Sequence, residues 1–199
     1  FSTHLTTAMA LTFSKQGTLL ALVGGRTNAI LEFTAGGRKV RRFAELIPRC
    51  QALAADAHGR VYAIGGTPRR RQLRMYDALG NVLHQLDLDM QSTYSCMTVD
   101  PTGRIYLANY VKGCIEGFTI SGQRFSAFGQ KTFSSPARMA FSPQGHLYVT
   151  EKDSPLVDVF APPHDAPVFS FPLPANFEVL ALAFHPNGNL YLSGVPTSD

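Results

Sequence analysis

Short apolar runs punctuate this chain, and polar breaks separate them at regular intervals. Apolar, small-residue stretches lie at Ala8 to Phe13, Gln51 to Ala55, Cys96 to Val99, Arg138 to Phe141 and Val179 to Phe184. Each leads into a glycine-terminated break: FSKQG at Gly17, ADAHG at Gly59, VDPTG at Gly103, FSPQG at Gly145 and FHPNG at Gly188. A second apolar run follows each break: TLLALV, RVYAIG, RIYLAN, HLYVTE and NLYLSG. Apolar runs of this length between turn residues predict β-strands, and the nearly continuous first run predicts a strand buried on both faces. The first strands are therefore expected to be the most buried. Proline at the second position of Asp100–Gly103, Ser142–Gly145 and His185–Gly188 presets φ for a tight turn, which glycine closes.

The rest of each repeat reads the same way. The second strand carries a tyrosine near its start, Tyr62, Tyr106, Tyr148 and Tyr191, with Leu19 and Leu20 in that place in the first repeat. A third strand ends on an aromatic, Phe33, Tyr76, Phe118 or Phe160, and runs into a second turn, TAGG, DALG, TISG or APPH. A fourth strand ends at Phe43, Leu86, Phe128 or Phe171; its apolar–polar alternation, clearest in QRFSAF, suits an outer strand with one wet face. The tyrosines and terminal aromatics are expected to occupy equivalent packing positions between repeats.

The recurring glycines are spaced 42, 44, 42 and 43 residues apart. A period of roughly 40–50 residues built from short strands is the mark of a β-propeller. The expected fold is all-β: one propeller domain over residues 1–199 made of four-stranded blades, four complete and a fifth partial, with repeats at about 7–44, 49–87, 93–129, 135–172 and 178–199. The feature order, and above all VDPTGRIYLANYVKGCIEGFTISGQRFSAFG and FSPQGHLYVTEKDSPLVDVFAP, resembles the NHL-repeat family of propellers. That resemblance implies a full ring of six blades, or sometimes five. The chain departs from the family pattern by lacking the usual Asp after the second strand, where Gly24, Gly65, Asn109, Glu151 and Gly194 stand. It has no tryptophan and no Trp-Asp dipeptide, unlike WD-repeat propellers.

The fifth repeat stops after its second strand at Ser193, so the pattern predicts an open blade edge beside the apolar residues Leu180, Leu182, Phe184, Leu190 and Leu192. A bare edge of this kind invites association. The expected cover is missing residues of the same protein, the strand from Phe1 to Thr6 laid beside blade five, or another protein chain. The opening residue is Phe rather than Met, and the shortfall in strands is read as a portion of a longer protein.

Composition narrows the function only a little. Hydrophobic content of 45% fits a globular β protein, and no apolar run approaches the ~20 residues of a membrane-spanning helix. Formal net charge is +4, which makes an anionic partner such as RNA physically reasonable. The candidate binding residues are Arg26, Arg49, Arg69, Arg70, Arg71, Arg74 and Lys112, expected on the loop-rich side, with Arg38 to Arg42 as a second basic run. Three cysteines occur at unrelated repeat positions with no CxxC, as expected of buried thiols. Of the residues expected at the channel mouth, Thr7, Arg49, Thr93, Ser135 and Glu178, only Glu178 is a carboxylate. It is the sole metal-ligand candidate, with Asn176 near it and Asn109 and Glu151 beginning loops on the same face, whereas calcium takes six to eight oxygens. No P-loop, GxSxG or dinucleotide fingerprint is present, so no cofactor is implied. The expectation is a non-enzymatic interaction module. The alternatives are a segment of a metal-dependent, gluconolactonase-like hydrolase or lyase, and an anion or RNA binder. Nothing in the pattern indicates a compartment.

Overall fold

The computed structural model describes residues 8–24, 29–45, 47–129, 133–185 and 187–196. Among them are strands, turns and bends and no helix, so no helix is long and apolar enough to cross a membrane. The chain divides into two compact units, Phe1–Gln91 and Ser92–Asp199.

The first unit holds two four-stranded sheets. One runs β1 (Ala8–Phe13), β2 (Leu19–Val23), β3 (Ala29–Phe33) and β4 (Lys39–Glu45), and the other β5 (Ala52–Ala55), β6 (Val61–Thr67), β7 (Arg70–Tyr76) and β8 (Val82–Leu88). The second unit holds β9 (Tyr94–Val99), β10 (Ile105–Asn109), β11 (Cys114–Phe118) and β12 (Arg124–Phe128), then β13 (Pro136–Phe141), β14 (Leu147–Glu151), β15 (Leu156–Phe160) and β16 (Phe169–Pro172). A two-stranded sheet of β17 (Phe177–Phe184) and β18 (Leu190–Pro196) completes it. Every sheet is an antiparallel meander with strands in chain order. These are the four complete blades and the partial fifth that the repeat predicts. The segment Phe1 to Thr6, expected beside blade five, lies outside the described residues.

The turns explain why the repeat is so regular. In all five β1–β2-type turns the glycine N–H donates to the carbonyl three residues back, at Ser14, Asp56, Asp100, Ser142 and His185. The side chain of that first residue closes the turn again. Asp100 Oδ1 accepts from the Thr102 and Arg104 amides at 2.9 Å, Asp56 Oδ1 does the same for His58 and Arg60, and Ser14 and Ser142 accept from the residue four on. A second rank of such turns joins third to fourth strands through Thr34, Asp77 and Thr119. Short polar side chains that bond their own backbone in this way set turns locally.

Burial corrects one expectation. The first strands are not the most buried; β10 and β11 are buried at every position, whereas β9 and β13 alternate between buried and half-buried residues and β1 leaves Met9, Leu11 and Phe13 exposed. The reason is topological. A first strand has a hydrogen-bonded neighbour on one side only, while second and third strands are flanked on both.

Packing joins successive sheets within each unit. In the first unit Leu20, Leu22, Ile30 and Phe43 of one sheet share a core with Leu53, Val61, Ala63 and Tyr76 of the next. In the second, Tyr106, Ile115 and Phe128 pack with Met139, Leu147, Val149 and Phe160, and Val157 packs with Val179, Leu173 and Leu192. Each fully buried Leu, Ile or Phe contributes about 1.5–3 kcal/mol of transfer free energy. The terminal aromatics Phe33, Tyr76, Phe118 and Phe160 are all buried. The tyrosines hold equivalent register, Tyr62 opposite Ala54, Tyr106 opposite Thr98, Tyr148 opposite Ala140 and Tyr191 opposite Ala183, with Leu20 in the first blade. Their burial differs: Tyr62 and Tyr106 are fully buried, Tyr148 is half-buried and Tyr191 is 59% exposed.

Candidate functional site

The basic residues come first. Arg69 sits in the turn after β6, but Arg70, Arg71 and Arg74 lie within β7 rather than in a loop. Strands β6 and β7 run seven residues each, past the point where β10 and β11 end at five, and carry the arginines into the sheet. Strand alternation then splits the run. Arg70, Gln72 and Arg74 share one face, and Arg71 lies on the other with Leu73 and Met75. On the first face Arg70 donates to Asp87 at 3.1 Å, Gln72 donates to the same carboxylate at 2.9 Å, and Arg74 donates to Gln85 Oε1. The Arg70 and Gln72 donors hold the Asp87 carboxyl below its usual value. The second basic run is also engaged: Arg41 binds Glu32 at 2.6 Å, reaches the Leu79 and Ala78 carbonyls, and lies over the Phe43 ring. Arg49 is exposed in a left-handed conformation before β5. Lys112 belongs to the second unit, with its Nζ 3.5 Å from the buried Glu116 carboxylate, which Tyr94 and Arg124 also contact. Arg26 lies outside the described residues.

The position six residues past each turn glycine has a role that the sequence pattern does not reveal. It holds Val23, Gly65, Asn109, Glu151 and Gly194, all at one register; Val23, not Gly24, is the first-blade member. Here the segment entering the first strand must be held against the sheet, and two solutions occur. Asn109 donates to Ser92 Oγ at 2.8 Å, and Glu151 Oε2 accepts from the Ser134 amide and hydroxyl and the Ser135 amide at 2.7–3.1 Å. Where glycine stands, backbone moves in directly: a Cβ on Gly65 would meet Cys50 Cα at 2.7 Å, and one on Gly194 would overlap the Glu178 carbonyl oxygen. Asn109 and Glu151 are thus side-chain tethers, and Gly65 and Gly194 leave room for close backbone.

Two adjoining cavities open in the second unit. One of about 320 Å³ is lined by Glu151, Asp153, Ser154, Asn176, Phe177 and Glu178 among others, and one of about 190 Å³ by Ser95, Ser135, Arg138, Glu151, Lys152 and Glu178. Arg138 is spent on backbone, donating to Leu180 O at 2.6 Å and Ala137 O at 2.8 Å. Glu178 is exposed, and among the described residues no three His, Cys, Asp or Glu side chains gather as metal donors. The thiols are poor nucleophiles and ligands, since burial pushes Cys50 and Cys96 up to about 12.

The remaining feature is apolar. Leu182, Phe184, Leu190 and Leu192, expected as one bare face with Leu180, are half-buried; Leu192 packs with Val157 and Val179, and Phe184 with Tyr148. It is the other side of the fifth sheet that is open, presenting Tyr191 and Val195, with Leu180 exposed at the bulge in β17. In the first unit the open side of β1 presents Leu11 and Phe13, 57% and 66% exposed.

No family model matches the chain, and no curated protein matches it by sequence. Solved structures do match in fold. A protein of unknown function from Bacteroides caccae superposes with a TM-score of 0.68 at 15% identity, covering 93% of this chain and 69% of its own. Hydrazine synthase of Kuenenia stuttgartiensis gives 0.72 at 14%, covering 98% and 57%. Virginiamycin B lyase from Staphylococcus aureus gives 0.71 at 15%, covering 96% and 64%. The chain thus spans between 57% and 69% of the length of these chains. The sheets and these neighbours define an all-β protein with the β-propeller fold.

Proposed function

We propose that this chain is a binding propeller of the NHL type, a non-enzymatic interaction module that holds a protein partner on the open side of its fifth sheet. The observation that carries this reading is the 59% exposure of Tyr191 beside Leu180 and Val195, at a register where Tyr106 is fully buried. Apolar surface held open at a sheet face contributes association energy that scattered apolar residues do not. The basic surface favours RNA or another anion less, because Arg70 and Arg74 already have acceptors on their own sheet. The test is capture from native extract at low and high salt. Tyr191→Glu should abolish recovery of the partner, while an Arg69→Ala, Arg70→Ala, Arg74→Ala variant retains it at both salts. Recovery that follows the arginines and vanishes with salt would select the anion reading instead.

A second reading is a small-molecule site of the hydrolase or lyase propellers, favoured by the two cavities that share Glu151 and Glu178. Calcium titration followed by melting temperature tests it: a rise that Glu178→Gln removes supports a cation there, and a flat response rejects it.

A further inference from the structure

We propose that the open side of β1 in one copy of this chain docks on the open side of the fifth sheet in a second copy. This rests on reading that fifth-sheet face as a binding surface, and it names the occupant.

The inference follows from a contact that the chain already makes twice. The last residue of β13, Phe141, meets Tyr106 of the preceding sheet at 4.9 Å between ring centroids, tilted 59°. The last residue of β17, Phe184, meets Tyr148 at 4.8 Å and 69°. Tilted and edge-to-face geometry at this separation is the favoured aromatic arrangement. Both phenylalanines pair across the sheet with the first residue of the second strand, Leu147 and Leu190, and each tyrosine follows the first residue of its own second strand. In the first unit the same positions carry a smaller pair, Leu20 and Ala55, in one core cluster.

Tyr191 has the tyrosine register and no phenylalanine ring against it; His185 is its ring neighbour at 6.4 Å. Phe13 has the phenylalanine register, opposite Leu19, and is 66% exposed. Leu11, two residues earlier on the same side, is exposed too, as the strand period requires of one face. Among the described residues at these registers, Phe13 is the exposed phenylalanine and Tyr191 the exposed tyrosine. The two faces differ, so the contact between copies is heterologous. It leaves one of each face free unless the assembly closes into a ring.

Sedimentation velocity with complementing variants tests this. Wild type should associate with rising concentration, its mass at least doubling from the 21.7 kDa chain. Phe13→Glu and Tyr191→Glu should each run as single chains, because each lacks one half of the contact. An equimolar mixture should recover the doubled mass, since the first variant keeps the tyrosine face and the second the phenylalanine face. Unchanged far-ultraviolet circular dichroism confirms folding, and Phe13→Ser with Tyr191→Ser replaces any variant that fails it. A wild type that stays a single chain at high concentration, a single variant that still associates, or a mixture that fails to recover overturns the proposal. If wild type is a single chain yet captures another protein through Tyr191, this inference falls and the broader binding role stands. If capture is indifferent to Tyr191, both fall.

Discussion

Blades three and five carry the same tyrosine in the same register and treat it oppositely. Tyr106 is enclosed by Phe125, Phe128 and Phe141, the last from the following sheet, while Tyr191 has no following sheet against it in the second unit. Closely similar local sequence, LYL at 190–192 and IYL at 105–107, therefore yields a core residue in one place and an exposed one in the other. The difference lies in rings that the fifth sheet lacks, Phe125 and Phe128 on the fourth strand of Tyr106's own sheet and Phe141 on the next one. A repeat protein's stability is a sum over neighbour interfaces, and a side chain becomes structural only when its interface is filled.

The strongest way to break the comparison is to remove both rings. Tyr106→Ala should cost about 3–5 kcal/mol by cavity formation, and Tyr191→Ala should stay within about 0.5 kcal/mol, as at a surface site. Denaturant melts of the two variants check it; equal losses would show that the fifth sheet is covered after all. Next in size is the second-strand position six residues past the turn glycine. Gly65→Ala should lose about 1–3 kcal/mol by overpacking, because the new methyl meets Cys50 backbone. At the matching position Asn109→Gly should cost a comparable amount by another route, losing the side-chain hydrogen bonds to Ser92 Oγ and from the Lys112 amide at about 0.5–1.5 kcal/mol each. Urea midpoints of the two variants check both losses.

The turns sharpen the comparison further. Burial works to raise the Asp100 carboxyl, but Thr102 and the Arg104 amide and guanidinium outweigh it and hold it below its usual value. A lowered folded-state value means that this stabilisation is fully present above the unfolded value of about 3.9 and is lost as pH falls through the folded one. Asp100→Asn should therefore cost about 1–3 kcal/mol at neutral pH and shrink the acid-induced loss. Blade five has His185 at that place, so no carboxylate step arises from its turn. Smallest of all, Arg70→Ala should leave the melting temperature unresolved from wild type. Its partner Asp87 is exposed, and pairs of that kind contribute little.

What the sequence made legible was whatever is decided within a few residues. Ser14, Asp56, Asp100, Ser142 and the glycines three residues on set their turns without help, so period, strand count and blade count follow from composition along the chain. Facing was not legible. Leu180, Leu182, Phe184, Leu190 and Leu192 read as one apolar surface, yet four of them face the fourth sheet, and the open side is marked by Tyr191 and Val195. Both sides of these strands are apolar, so alternation carries no signal about which is covered. The strand placement of the arginines was hidden for a related reason: Asp87, the partner of Arg70, lies 17 residues away, across a strand pair whose length the turn residues did not fix. The tethers at Asn109 and Glu151 were hidden because one register is served by an amide, a carboxylate or a bare glycine.

The meander order of every sheet has a kinetic side. Each strand finds its partner in the next stretch of chain, so the loops closed on the way to the native state are short, and the entropy cost of closing a loop grows with its length. Such a chain collapses hairpin by hairpin rather than waiting for distant segments to meet, and its hydrogen-exchange units should coincide with single sheets. The two-stranded β17–β18 sheet, held by one ladder where every other sheet has three, should be the first to open and the last to close.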